Sequence, residues 1–222
     1  HEINNPLNNI LSLATLIERG LPAASQDLRE DVHDLREEAR RASRIVRGVM
    51  NFARQLPPEH RVFRVCPWLR ETVERLEPEA MAADVHFDLR SCDPDCFAEA
   101  DADQLQQVLL NLLQNALHAT PPGGRIQVTG ACAEGRLRVC VRDAGPGMPP
   151  EVLARIFDPF FTTKGVGEGT GLGLSISLGI VQYHGGTLSI RNREDASGVE
   201  ACFEVPLTPA SPRFAPPEDM PA

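Results

Sequence analysis

Two glycine-rich runs, an aromatic turn and a pair of asparagines follow one another through the second half of this chain: Asn111-Leu-Leu-Gln-Asn115, Asp143-Ala-Gly-Pro-Gly147, Phe157-Asp-Pro-Phe-Phe161 and Gly169-Thr-Gly-Leu-Gly-Leu174. Each suits one part of a nucleotide. A carboxylate at the end of a strand, Asp143, can accept a hydrogen bond from the exocyclic amine of adenine, a group that guanine does not offer in that place. Gly145 and Gly147 have no Cβ, so backbone there can approach a base closely. Gly169, Thr170, Gly171, Leu172 and Gly173 stand where an apolar helix begins, and amides at a helix N-terminus attract phosphate. The four glycines from Gly165 to Gly171 give a mobile lid, and Lys164 at its start either reaches a phosphate or stays in water. Asn111 and Asn115 fall four apart on an apolar helix and share a face. Their amide oxygens suit a hard Mg2+ already balanced by a triphosphate; the other reading makes them ordinary polar-face residues.

A second kind of chemistry opens the chain. His1-Glu-Ile-Asn-Asn-Pro-Leu7 places a histidine beside a carboxylate on a helix and outside its apolar seam. An exposed imidazole is a nucleophile for phosphorus once a neighbour, here Glu2, takes its ring proton. Asn5, one turn along the same face, has an amide that can position a water. An isolated His-Glu pair reads first as a solvated helix face; beside a complete nucleotide site it reads as an acceptor. His33, His60, His86, His118 and His184 lack such a setting and read as structural or surface residues.

Two kinds of element must hold these groups. Ile3, Leu7, Ile10, Ala14, Ile17 and Leu21 recur four and three apart, and after Gly20-Leu-Pro22 the period resumes from Leu28 to Leu56. A repeat of about 3.5 residues is the seam of a helical bundle. One hairpin cannot cover that seam alone, so residues 1–56 are expected to pair with a second copy as a four-helix bundle, a homodimer. The alternative is a hairpin packed on its own downstream domain. Residues 57–61 read as a linker around Pro57 and Pro58. Over 62–207 short strands alternate with helices. Strands are predicted near 62–65, 84–89, 96–99, 125–130, 136–142, 186–192 and 199–205, with helices near 67–76, 101–119, 149–155 and 172–184. Helices sharing one face of a mixed sheet make an α/β sandwich, so the whole is α+β. The tail 208–222 is proline-rich, without periodicity, and expected to be disordered.

Composition narrows the class. A net charge of −9 argues against binding nucleic acid through a basic surface. No apolar run reaches the ~20 residues of a membrane span, so this segment is expected to be cytoplasmic, without membrane contact of its own, though the full-length protein could be anchored elsewhere. The six cysteines are scattered and read as reduced, mostly buried thiols.

The ordered motifs resemble the N, first glycine, F and second glycine boxes of sensor histidine kinases, and His1–Leu7 resembles their phosphoacceptor box, in the variant with asparagine four residues after the histidine. The resemblance covers residues 1–207. It implies the ATP-binding fold shared with gyrases, mismatch-repair ATPases and heat-shock chaperones, preceded by a dimeric hairpin. ATP and Mg2+ would be the cofactors, with adenine on Asp143, the metal on Asn115 helped by Asn111, Phe157 in the F box, and a lid over about 158–172. A response regulator's receiver domain would take the phosphoryl group on an aspartate, and the resemblance supports Asn5 in its dephosphorylation. The competing class is a gyrase- or chaperone-like dimeric ATPase without phosphotransfer. That chemistry needs a water-activating carboxylate one turn before the metal-binding asparagine, where this chain has Asn111, a poor base.

Overall fold

The computed structural model describes residues 4–20, 28–36, 38, 39, 42, 59–92, 95–165 and 170–207, and for 4–9 and 91 the backbone only. The chain divides into two units, one of His1–Leu56 with Arg155–Ile176 and the other of Pro57–Ala154 with Ser177–Ala222.

In the first unit α1 spans Asn4–Gly20, and residues 28–36, with 38, 39 and 42, are helical and form α2. Of the seam residues, Ala14, Val32 and Ala39 are buried, whereas Ile10, Ile17, Leu28 and Leu35 remain 40–49% exposed. The helices are tied by an ion pair between Arg36 and Glu18. His1, Glu2 and the expected linker residues Pro57 and Pro58 lie outside the described residues, as do the tail 208–222 and Gly169.

The second unit is a sheet covered by helices. Its elements in order are β1 (Arg61–Arg64), α3 (Val65–Glu74), α4 (Glu77–Ala82), β2 (His86–Cys92), β3 (Phe97–Ala100), α5 (Ala102–Ala119), β4 (Arg125–Ala133), β5 (Arg136–Arg142) and α6 (Pro150–Leu153). Then come α7 (Gly173–Tyr183), whose first turn belongs to the other unit, β6 (Thr187–Asn192) and β7 (Val199–Pro206). The main sheet runs β2-β4-β5-β7-β6, with β2 and β4 parallel and the rest antiparallel; β1 and β3 form a separate antiparallel pair. The periodicity of α5 explains its seat. Leu105, Val108, Leu109, Leu112, Leu113, Ala116 and Leu117 make one buried stripe at spacings of three and four. On the sheet, Leu137, Val139 and Val141 of β5 alternate with Arg136, Arg138 and Arg142, so one face is apolar and the other charged. Glu200, itself buried, takes Arg191 and Arg142 on that charged face.

The N-terminus of α5 is capped by Asp101, whose Oδ1 accepts from the amides of Asp103 and Gln104 at 3.1 and 3.0 Å. Its Oδ2 accepts from Glu59 N at 3.1 Å, which anchors the chain where it enters this unit. His184, just past α7, is buried; its Nε2 accepts from Asp101 N and its ring stacks on His60 at 5.7 Å. His184 is thus packed in the fold, and His60 lies exposed beside it.

Two expectations are corrected. Helix α4 follows a residue read as a helix end; Pro78 sits in its first turn, where a missing N–H costs nothing, so it opens a helix and does not close one. The cysteines are not free thiols: Cys66–Cys92, Cys96–Cys132 and Cys140–Cys202 are disulfides. Strand register brings Cys140 opposite Cys202, a neighbourhood that spacing along the chain does not reveal.

Phe203 of β7 is fully buried. Its replacement by alanine should remove about 3–5 kcal/mol of stability, seen as a lower urea midpoint at unchanged slope. A loss under about 1 kcal/mol would contradict its place in the core.

Candidate nucleotide site

Strand β5 ends at Arg142, and the next residue carries the buried carboxylate. Asp143 is 6% exposed. Its Oδ1 accepts from the amides of Gly145 at 2.9 Å and Val199 at 3.0 Å, and its own N–H donates to Val199 O at 3.0 Å. Among the described residues no protein donor engages Oδ2. Burial pushes the Asp143 carboxyl above the ordinary aspartate range; the two amide bonds and the charge of Arg193 act against that.

The glycines of this loop have a reason beyond approach to a ligand. A Cβ on Gly145 would lie 2.7 Å from Ala119 O at the end of α5. Gly147 has φ +84°, and a Cβ there would press on Asn192 Oδ1 at 3.0 Å. Protein contacts, as well as any base, demand the absence of side chains here.

Asn111 and Asn115 are half-buried on α5, as their spacing predicts. Asn111 Nδ2 donates to Ser177 Oγ of α7 at 3.0 Å, which fixes the orientation of the amide. An amide is no base for water in any orientation. Asn111, Asn115, Asp143, Gly145 and Gly147 all belong to the second unit.

The aromatic turn and the second glycine run belong to the first unit. Phe157 is half-buried, and the Arg155 guanidinium lies 4.5 Å over the Phe161 ring. Phe160 has φ +67°, a left-handed conformation that costs a bulky residue energy. Its N–H donates to Gly171 O at 2.9 Å. Gly171 has φ +66°, and a Cβ on it would sit 2.3 Å from the Phe160 carbonyl carbon, so only glycine fits opposite this turn. Thr170 Oγ1 accepts from Leu172 N at 3.4 Å, Leu172 is buried, and Gly173 starts α7. Lys164 is half-buried, and its backbone N–H donates to Thr162 Oγ1 at 3.2 Å. Asn5 lies in α1, and its side chain is outside the description, as are His1 and Glu2 altogether.

Sequence reasoning missed the residues that support the Asp143 loop from behind: Val199, Asn192, Arg193 and Ser197, all on or between β6 and β7. Nothing in Asn192-Arg-Glu-Asp-Ala-Ser-Gly198 distinguishes it from an ordinary turn.

Comparison with known proteins agrees with this geometry. Residues 100–209 match the family described as histidine kinase-, DNA gyrase B- and HSP90-like ATPase, and residues 1–57 match the His kinase A (phospho-acceptor) domain. The sensor histidine kinase ZraS of Klebsiella oxytoca is 35% identical over 208 residues, covering 91% of this chain and 43% of that protein. The crystal structure of full-length ShkA in complex with AMPPNP is similar with a TM-score of 0.78 and 31% identity, over 94% of this chain and 44% of that one. That of histidine kinase ThkA in complex with the response regulator protein TrrA is similar with a TM-score of 0.71 and 32% identity, over 95% of this chain and 60% of that one. The chain spans less than half the length of the curated relatives it matches. Among the described residues no helix is long and apolar enough to cross a membrane.

The buried carboxylate yields a test of its own. Because the folded-state pKa of Asp143 is raised, its ionised form costs stability. The cost is absent below the ordinary aspartate pKa of 3.8 and grows as pH rises through the folded value. Asp143→Asn keeps an oxygen for both amides and removes the charge. Its melting temperature at pH 7 should equal or exceed that of the parent, with the difference vanishing toward pH 3. A large fall at pH 7 would contradict the assignment of burial as the dominant influence.

Proposed function

The chain belongs to the sensor histidine kinases, with a catalytic domain of the ATP-binding type, and from that premise we propose that it moves the γ-phosphoryl group of ATP to His1 and on to an aspartate of a response regulator's receiver domain. The observation that carries this reading is Asp143: a buried carboxylate with one oxygen saturated by two backbone amides and the other left for a donor. Adenine offers such a donor, and the charge on the acceptor makes the bond a strong one.

The remaining roles follow from chemistry at each position. The amides around Gly169–Gly173 receive phosphate oxygens at the start of α7, and Lys164 adds a cation. Asn115, helped by the Asn111 oxygen, would hold Mg2+, which supplies charge neutralisation of the triphosphate. The His1 imidazole attacks the γ-phosphorus, the bond to the β,γ-bridging oxygen breaks, ADP departs, and Glu2 takes the ring proton. In the second step a carboxylate oxygen of the receiver attacks that phosphorus and the P–N bond breaks. Asn5 has no basic atom for the first step; its amide orients a water against the phosphorylated receiver, which makes dephosphorylation a separate activity of the same helix. We read residues 1–56 as the acceptor hairpin, 57–61 as a linker and 62–207 as the catalytic domain.

The half-exposed seam supports a homodimer. Ile10, Ile17, Leu28 and Leu35 are apolar, in register with the buried Ala14, Val32 and Ala39, and uncovered within one chain. A gyrase-like ATPase without phosphotransfer is the weaker reading, because position 111 is an asparagine, whose amide offers no base for water.

His1→Gln should still bind ATP and take up no label from γ-labelled ATP. Equal labelling of parent and variant would remove His1 from the reaction. Asn5→Ala should keep autophosphorylation and transfer, and slow the loss of phosphate from a purified phosphorylated regulator in the presence of ADP. Identical decay with parent and variant would reject the role of Asn5.

A further inference from the structure

The Asp143 loop does not hold itself in place. Between the end of β5 and the start of α6 it contains Gly145 and Gly147, and glycine surrenders more backbone freedom on ordering than any other residue. The order is imposed from the β6–β7 connection. Asn192, the last residue of β6, makes a reciprocal pair with Met148: its Oδ1 accepts from Met148 N at 2.8 Å and its Nδ2 donates to Met148 O at 2.8 Å. Ser197 Oγ donates to Gly145 O at 2.6 Å. Arg193 Nη1 donates to Asp143 O at 3.0 Å, while the same guanidinium is aimed by two bonds to Asp195. The carbonyls of residues 143, 145 and 148 are therefore each taken by a side chain of one hairpin.

The backbone is shaped to the same contact. Gly198 has φ +119°, and a Cβ on it would lie 2.2 Å from Asp143 O. Gly147 has a positive φ, and a Cβ on it would lie 3.0 Å from Asn192 Oδ1. Two glycines, one on each side, allow the hairpin and the loop to meet. Asn192 and Ser197 are themselves exposed, so neither contributes to the core. Their bonds order a segment whose free energy would otherwise be spread over many conformers.

We propose that the β6–β7 hairpin positions the nucleotide-binding loop, and that Asn192 is its principal positioning residue, setting affinity and preference for adenine without touching the nucleotide. This rests on the reading of Asp143 as the adenine acceptor. If the loop is competent only in the conformation that the hairpin holds, apparent affinity falls by the competent fraction when the clamp is removed. Asparagine is required because one side chain must both accept and donate. Aspartate keeps the acceptor and turns a negative oxygen toward the Met148 carbonyl.

The test titrates ATP, GTP and inorganic triphosphate calorimetrically into the full chain and its Asn192→Ala, Asn192→Asp, Ser197→Ala and Asp143→Ala variants, with melting temperatures alongside. Asn192→Ala should weaken ATP about tenfold, narrow the preference for ATP over GTP, and leave triphosphate binding and melting temperature near those of the parent. Asn192→Asp should be impaired at least as much, and Ser197→Ala in the same direction by less. Unchanged ATP affinity in Asn192→Ala, with Asp143→Ala weakened, would overturn the hairpin's role and leave Asp143 standing. An Asp143→Ala variant that binds ATP like the parent would instead remove the adenine reading itself. Equal weakening of all three ligands together with a lowered melting temperature would show Asn192 to be merely structural, which also overturns the proposal. Should Asn192→Ala fail to fold, Ser197→Ala decides by the same comparison of ATP with triphosphate.

Discussion

A carboxylate taken out of water must be compensated, and the arrangement around Asp143 is the compensation. An unpaired buried charge is too costly to keep. Here two backbone amides converge on one oxygen, and Arg193 lies near with a full positive charge. Those amides belong to different parts of the chain, one two residues ahead and one on β7, so the carboxylate can be satisfied only when β5 and β7 are paired in register. Sheet, loop and binding group thus depend on one another. The compensation is incomplete by one oxygen, and the proposed contact with adenine rests on that remainder.

The two helices along the site are joined by a similar economy of polar groups. Asn111 spends its nitrogen on Ser177 of α7 and keeps its oxygen. A buried serine on an apolar helix needs a partner, and the Asn111 amide supplies it while gaining a fixed orientation. Position 111 carries an amide where hydrolysis would need a base, so the proposed phosphoryl transfer to a protein side chain fits the residues better than hydrolysis.

Much of this was legible along the chain, for identifiable reasons. Periodicity located the hairpin helices and α5, because an apolar stripe must recur with the helix turn, and alternation located β5. Asp143 could be placed at a strand end because Val139-Cys-Val-Arg142 reads as a strand and the following glycines cannot continue one. Other features depend on tertiary register. Cys140 and Cys202 are far apart in sequence and opposite in the sheet. Asn192 and Ser197 look like residues of any hairpin until the loop they hold is seen beside them. Gly147 was read as room for a base, and its nearest neighbour is an asparagine of the same protein. Helix α4 was hidden because proline is a breaker inside a helix and a starter at its first turn, and local sequence does not say which applies.

The account stands on phosphorus passing to a histidine nitrogen. The direct measurement is the chemical stability of the label taken up from γ-labelled ATP by the protein. A phosphoramidate is lost in acid and survives alkali. The account predicts that behaviour, with the label then moving to a receiver aspartate in a cognate regulator. A label stable to acid, or ATP hydrolysis with no labelled protein at any time, would contradict it.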